Sequence, residues 1–541
     1  MIFQKRLVVW AMRQQILKAV GGLAVVVIAA TTAGAEPSAE GAPSATPGFN
    51  HPIPESILTA DAVETSIGTL EFFDGFPTEE TVETLYWNLL RSRATEVFLD
   101  FIPAASIEAL REGMAGQGAD DSHRCVLYDR LMTSDSLFLT GNTDTVYAIC
   151  FLDLERDGPT VVEIPPASGP GTINDAFFRF VVDTGPPGPD RGKGGRYLIL
   201  PPGYEGKVPD GYFAVQSPTF INAMPLRAFL KNGKPDAAAE MWRSGLKVYP
   251  LKDRSDPPKM EFVSGTGLEF NTIHANDVNF FDEINRVIQK EPVDFIGPEM
   301  RGRLASLGIQ KGKKFEPDAQ MQAILRDGVA IGNATVRALA FAPRSKTIGL
   351  YGEGSQWFTA FDGGDYRWLI EDGAGGRNQD ARSTFFYIAT VNTPAMVLKM
   401  VGVGSQYALI ARDSSGAYLD GNAEYSLTLP PDIPAKNFWS FVAYDPQTRS
   451  MLQTSQPYPS KNSERNKDLV VNQDGSVTLF FGPTEPKGNE ANWIQTRPGK
   501  GWFGVLRLYG PLEPWFDQSW RPGEIIKVSE SPRAEEASSQ P

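Results

Sequence analysis

The sequence predicts an α+β protein that is mainly β, with two antiparallel β-sandwich domains joined by a helical middle segment. Three observations point there. Short runs of β-branched and aromatic residues, punctuated by Gly and Pro, fill the stretch from about residue 135 to 220 and resume after about residue 385. Between them, over 224–345, apolar residues recur at helical spacing. Gly and Pro number 52 and 42, about 17% of the chain against an ordinary share of about 12%, which suits many strands joined by turns. At 541 residues the chain also exceeds what one core usually serves.

In chain order, residues 1–35 read as a secretory leader. Lys5, Arg6, Arg13 and Lys18 give a basic start, residues 23–30 (LAVVVIAA) a short apolar run, and Ala33, Gly34 and Ala35 a small-x-small cleavage pattern ending at Ala35. The apolar run is shorter than the about 20 residues a membrane-spanning helix needs; the competing reading is an uncleaved anchor, and no later stretch is long and apolar enough to span. Residues 36–75 read as a linker. Over 76–223 the pattern gives a helix pair, broken at Pro103, and then a β domain with TVYAICFLDL, PTVVEIPP, FFRFVVDT and RYLILPPGY as strands. The segment 224–345 reads as helices, from MPLRAFLK through DVNFFDEINRVIQ to the long DAQMQAILRDGVAIGNATVRALAFA. Residues 346–528 form the C-terminal sandwich, with FFYIATVN, AMVLKMVG, YALIARD, YSLTLPP, FWSFVAYD, SVTLFFGP and WFGVLRLYGP as its strands. Residues 529–541 read as a disordered tail.

The formal net charge is −14, and removal of the leader's four basic residues leaves −18. Nucleic acid and anionic membranes reward basic patches, so neither is expected as a partner. The two cysteines, Cys125 and Cys150, form a disulfide in an oxidising compartment or stand as two buried thiols. Spacing alone leaves that open.

One resemblance is specific. Thr140-Gly-Asn-Thr-Asp-Thr-Val-Tyr147, followed by FLDL, VVEIPP and RYLILPPGYEGKVPDGY, is similar to a domain of unknown function numbered twelve fifty-four. YSLTLPPDIPAKNFWSFVAYD, DGSVTLFFGP, Glu490-Ala-Asn-Trp493 and RLYGP resemble a second such domain, numbered twelve fourteen. Together they cover most of residues 80 to 525. The resemblance implies an exported bacterial protein with two β-sandwich or jelly-roll-like domains joined by helices, and it brings no activity with it. The chain departs from the commoner first motif at Gly141, where many relatives place Pro or Asn, and in the insert GPPGPDRGKGG.

The same segments hold the candidate site residues. The three histidines, His51, His123 and His274, form no metal or triad motif. In a strand, Asn142 and Asp144 share one face while Thr143, Thr145 and Tyr147 share the other; the competing reading is an Asx turn that starts the strand. Along FGVLRLY, alternation puts Phe503, Val505, Arg507 and Tyr509 on one face, and Leu506 and Leu508 on the other. If the first face is core, Arg507 needs a carboxylate partner or an anionic ligand. Five tryptophans (Trp439, Trp493, Trp502, Trp515 and Trp520) follow residue 430, and Trp493 with Asn492 sits in a Gly/Pro-rich loop where a ring is free to stack on a ligand. The alternative is a Trp-rich core. The carboxylates Asp144, Glu163, Asp183, Asp413, Asp445 and Glu490 include candidates for acid–base work.

These residues give an expectation of Asp144, Arg507 and Tyr147 in catalysis, with Asn142, Asn492, Trp493 and Tyr509 binding a small or oligomeric polar ligand between the β domains. No metal is expected, and the pattern names no cofactor. A hydrolase or lyase, a non-catalytic binding or envelope-assembly protein, and a structural homo-oligomer are the three classes carried forward.

Overall fold

The computed structural model describes residues 53–345 and 347–528; the expected leader, its cleavage site and the expected tail lie outside them. The chain divides into two compact units, one ending at Thr81 and one beginning at Val82.

In the first unit, β1 (Ala62–Thr65), β2 (Gly68–Phe73) and β3 (Phe76–Pro77) form an antiparallel meander. The linker expected over 36–75 is therefore ordered in its second half. The Thr65 hydroxyl holds the first turn, accepting from Ile67 N–H (3.2 Å) and donating to the Gly68 carbonyl (2.7 Å). The Pro-rich character of the linker belongs only to its start. Leu70 and Thr81 are buried here, whereas Phe73 and Phe76 stay exposed.

The helix pair is instead one helix, α1 (Glu79–Gly116), of 38 residues with Pro103 inside it. Proline removes one intrahelical hydrogen bond and usually kinks or ends a helix. Here Phe101, Ile102, Ala104, Ala105 and Ile107 are each 1% exposed or less, so packing on every side holds the helix through the break.

The N-terminal β domain is built on two sheets. One has the order β13-β4-β5-β11-β7-β8, comprising β4 (Arg124–Leu127), β5 (Thr145–Asp153), β7 (Gly171–Asp175), β8 (Phe180–Thr184), β11 (Ile221–Phe229) and β13 (Glu261–Ser264). The other is β10-β9-β6-β12, from β6 (Thr160–Ile164), β9 (Gly195–Leu200), β10 (Phe213–Gln216) and β12 (Lys247–Pro250). Val146, Cys150 and Leu226 of the first sheet pack with Val162, Tyr197 and Val248 of the second, as a sandwich requires. Most pairings are antiparallel; β9 with β10 and β4 with β13 are parallel. MPLRAFLK, expected as the first helix of the middle segment, lies largely in strand β11. It is buried on both faces, so it lacks the alternation that marks a strand.

The middle segment does supply α3 (Asn279–Lys290) and α5 (Ala319–Phe341), after α2 (Asp236–Gly245) and before α6 (Gln379–Ile388), with α4 (Pro298–Ser306) between. Gly328 and Gly332 let α5 approach α1 closely; a Cβ at Gly328 would sit 2.4 Å from that of Ala94. FFYIATVN, expected as a strand, forms the end of α6. Every residue from Ala381 to Ile388 is buried, which erases the helical period, and Asn378 starts the helix by accepting from Ala381 N–H (3.0 Å). AMVLKMVG holds a short helical turn, Pro394–Val397, in place of a strand.

The C-terminal domain stacks a five-stranded sheet on a four-stranded one. The first is β14 (Trp357–Phe358), β15 (Ser405–Ile410), β21 (Phe503–Pro511), β17 (Ala435–Tyr444) and β18 (Ser460–Asn462). The second is β20 (Trp493–Gln495), β19 (Val477–Gly482), β16 (Tyr425–Leu429) and β22 (Ile526–Lys527). Leu506, Leu508 and Phe441 meet Leu427, Leu479 and Phe481 between them. A further cluster joins α1, α3, α5 and α6 to Tyr147 and Ile149 of β5 and to Phe503 and Val505 of β21. The helices thus fill a core shared by both β domains, which is why everything from Val82 onward forms one unit. Among the described residues no helix is long and apolar enough to cross a membrane.

Glu283 on α3 shows what this core does to charge. Its carboxylate accepts from Ala275 N–H (3.0 and 3.2 Å), and burial pushes its pKa up to about 8; Glu108 and Asp277 push the same way, against the Ala275 N–H and Arg286. Glu291 is likewise pushed up to about 7, chiefly by burial. A carboxyl that holds its proton more tightly when folded stabilises the protein at low pH, and that contribution is lost as pH rises through the folded value. Stability is therefore expected to fall between about pH 5 and pH 8. Glu283→Gln keeps the acceptor and removes the titration, so it should flatten this decline and be more stable than the parent at pH 8. Urea midpoints at the two pH values measure this; equal slopes for parent and variant would refute the assignment.

Candidate functional site

A cavity opens in the second unit where the two β domains and α6 converge, with about 90 Å³ of space for the centres of water-sized spheres. Its walls are mostly apolar, from Phe138, Phe361, Phe385, Ile388, Leu409 and Val505. The polar groups include Asn142, Tyr147, Asp183, Arg227, Ser405, Tyr407 and Arg507, with several threonines. Pro225, which has no N–H for a ladder, also lines it, and β7 pairs with β11 only at Asn222 and Ala223. Registered pairing stops there, although the strands stay close: a Cβ at Gly171 would stand 3.4 Å from Leu226 Cα.

Both faces of β21 turn out to be core. Phe503 and Val505 enter the shared cluster while Leu506 and Leu508 enter the sandwich, so Arg507 is only 4% exposed. Its Nη2 donates to the Thr140 carbonyl (2.8 Å), and its guanidinium stands 5.5 Å from the Tyr444 ring centre and 5.8 Å from that of Tyr407. Its Nη1 is buried without a partner. Arg227 reaches the same cavity from β11, its Nε donating to the Pro170 carbonyl (3.3 Å). Asp183, at 7% exposure, accepts from the Thr393 hydroxyl (2.8 Å) through Oδ2 and leaves Oδ1 unpartnered. Burial raises its pKa to about 6, against the Thr393 and Thr172 hydroxyls and Arg227.

The TGNTDTVY motif takes the Asx-turn form, and its two expected faces do not exist because the strand begins only at Thr145. Asn142 Oδ1 accepts from Asp144 N–H (3.0 Å), and Asn142 Nδ2 donates to the Tyr147 hydroxyl. Asn142 and Tyr147 line the cavity; Asp144 and Tyr509 are not among its lining residues. Asp144 is fully buried, and three groups of the C-terminal domain donate to it: Ser440 Oγ (2.5 Å), Tyr509 OH (3.0 Å) and Asn462 Nδ2 (2.9 Å). Around it the motif is gripped again, by Tyr444 OH on the Gly141 carbonyl (2.6 Å) and by Ser460 against Thr143 (2.6 Å). The stretch docks one β domain on the other.

Asn492 and Trp493 lie away from the cavity lining. Asn492 accepts from Val470 N–H (2.8 Å) and donates to the Val470 and Thr478 carbonyls, while Trp493 Nε1 donates to the Gly482 carbonyl (3.0 Å). All five late tryptophans are buried, so the Trp-rich core is what forms. His123 pairs with Asp121 (2.9 Å) near the surface, and buried His274 has its pKa pushed down to about 3, by burial first and then by Arg449. Of the scattered carboxylates, only Asp183 reaches the cavity. Arg227 was missed because its strand read as a helix; a lone Arg inside the apolar run MPLRAFL was the available signal.

A fold of two β-sandwiches around a shared helical core, with a partly polar cavity where they meet, defines the class. Residues 124–250 match the family described as Protein of unknown function (DUF1254), and residues 404–513 match Protein of unknown function (DUF1214). The chain thus pairs these two domain families, in that order. It is similar to the crystal structure of the VPA0106 protein from Vibrio parahaemolyticus (16% identity, 81% of this chain and 100% of that one, TM-score 0.49). It is also similar to an uncharacterized protein from Burkholderia cenocepacia (11% identity, 83% and 97%, TM-score 0.37). No curated protein matches the chain.

Proposed function

We propose that this is an exported protein that takes a small organic molecule into the cavity between its β domains. The observation that carries the reading is the set of buried polar atoms left without protein partners on one cavity wall system: Arg507 Nη1, Asp183 Oδ1 and Ser405 Oγ. Buried polar groups are nearly always paired, and a cavity that leaves several unpaired is suited to a ligand that completes them. The apolar walls favour an amphipathic ligand over the oligomeric polar one first expected.

A catalytic variant of this reading, a hydrolase or lyase, is favoured by Asp183. A carboxyl whose pKa stands near 6 inside a cavity is suited to general-base work at neutral pH, with Arg507 and Tyr147 beside the substrate. Asp144 then supports the site from outside it.

The test is a thermal-shift screen of metals, sugars, organic anions and envelope fragments on the parent and on Ala389→Phe, which fills the cavity from its wall. A ligand at a hundredfold excess over its dissociation constant stabilises by about 2.7 kcal/mol. At least one class should raise the melting temperature of the parent and not of the variant. A flat screen, or shifts that survive Ala389→Phe, would sink the proposal.

A further inference from the structure

We propose that the cavity ligand is a small organic carboxylate with an apolar body, received by Arg507 with Arg227 as the second cation. The inference rests on the reading of the cavity as a ligand site and names its chemical class.

A guanidinium offers five N–H donors in a planar fork. Buried Arg507 donates to the Thr140 carbonyl with the Tyr444 hydroxyl beside it, and its Nη1 has no partner. Among the described residues no carboxylate comes within ion-pair distance of Arg507 or Arg227. Asp144, the acid whose charge Arg507 feels, already accepts from Ser440, Tyr509 and Asn462. Leaving a buried cation unpaired is costly, and a carboxylate matches its fork with two parallel hydrogen bonds.

Charge selects against the other classes. Two guanidiniums outweigh the one carboxylate, Asp183, so the charge of the site disfavours a metal cation and favours an anion. A sugar needs an acceptor or donor for each hydroxyl, and these walls are mostly ring and alkyl carbon. By volume the cavity takes roughly seven water-sized groups, the scale of hexanoate or benzoate.

The experiment is calorimetric titration of the purified protein at pH 7.5 with matched pairs, hexanoate against hexanamide and benzoate against benzamide. An acid is expected to bind at least tenfold more tightly than its amide. Arg507→Gln should remove that preference while leaving amide binding in place. Where Arg507→Gln does not fold, Arg227→Gln at the less buried position serves, with a loss of at least threefold in the acid alone. Ala389→Phe should abolish both members of a pair. Equal affinities for acid and amide, a preference that survives both arginine variants, or no acid binding at millimolar concentration would overturn the carboxylate assignment. In those cases a screen hit from another class that Ala389→Phe cancels leaves the cavity reading standing, whereas binding that ignores Ala389→Phe overturns both.

Discussion

Replacing Asp144 with alanine is expected to cost about 3–5 kcal/mol of stability, the range for removing one member of a buried charge network. The loss has three sources. The Ser440, Tyr509 and Asn462 donors lose their acceptor in a fully buried place, each at a penalty of about 1–3 kcal/mol if water cannot enter. Arg465 loses the carboxylate that opposes the effect of its own burial, and Arg507 loses a neighbouring negative charge. The clasp between the two β domains also loosens. Asp144→Asn keeps the volume and one acceptor, so it should fall between parent and alanine variant. Urea denaturation followed by fluorescence measures all three proteins without ligand. A midpoint for Asp144→Ala within experimental error of the parent would show that the carboxylate does not hold the domains together.

That clasp explains why the site was only half legible in the sequence. The residues that carry the two resemblances bond to each other across the domain junction: Asp144 with Ser440 and Tyr509, Gly141 with Tyr444, Thr140 with Arg507. Motif strength marked the junction; the cavity beside it takes Thr140, Asn142, Tyr147 and Arg507 from those motifs and the rest of its wall from residues with no motif. Arg507 could be singled out because a charge on an apolar alternation stands out. Asp183 stood only as one of six scattered carboxylates and Arg227 went unnoticed in an apparent helix, because nothing local says that β8 and β11 border the same cavity. The fold was more legible wherever one side of an element stays polar, as on α3 and α5. It failed where both sides are buried, turning α6 into an apparent strand and β11 into an apparent helix, since a continuous apolar run has no period to read.

The disulfide ties fold to compartment and carries the second large effect. Cys125 of β4 stands directly opposite Cys150 of β5, with Cα atoms 4.6 Å apart, the spacing of a non-hydrogen-bonded antiparallel pair. The bond closes a loop with a sequence separation of 25, and constraining such a loop in the unfolded chain contributes about 3 kcal/mol. Cys125→Ser with Cys150→Ser should therefore shift the urea midpoint down by the equivalent of about 3 kcal/mol, more if the buried hydroxyls find no partners. Both cysteines are fully buried, so a mild reductant should act only after β4 opens. Protein recovered from the periplasm is expected to release no thiol when denatured without reductant. The same chain without residues 1–35, made in a reducing cytoplasm, should release two and match the serine variant in stability. Two free thiols in protein recovered from the periplasm would refute the bond, and with it the proposed oxidising compartment.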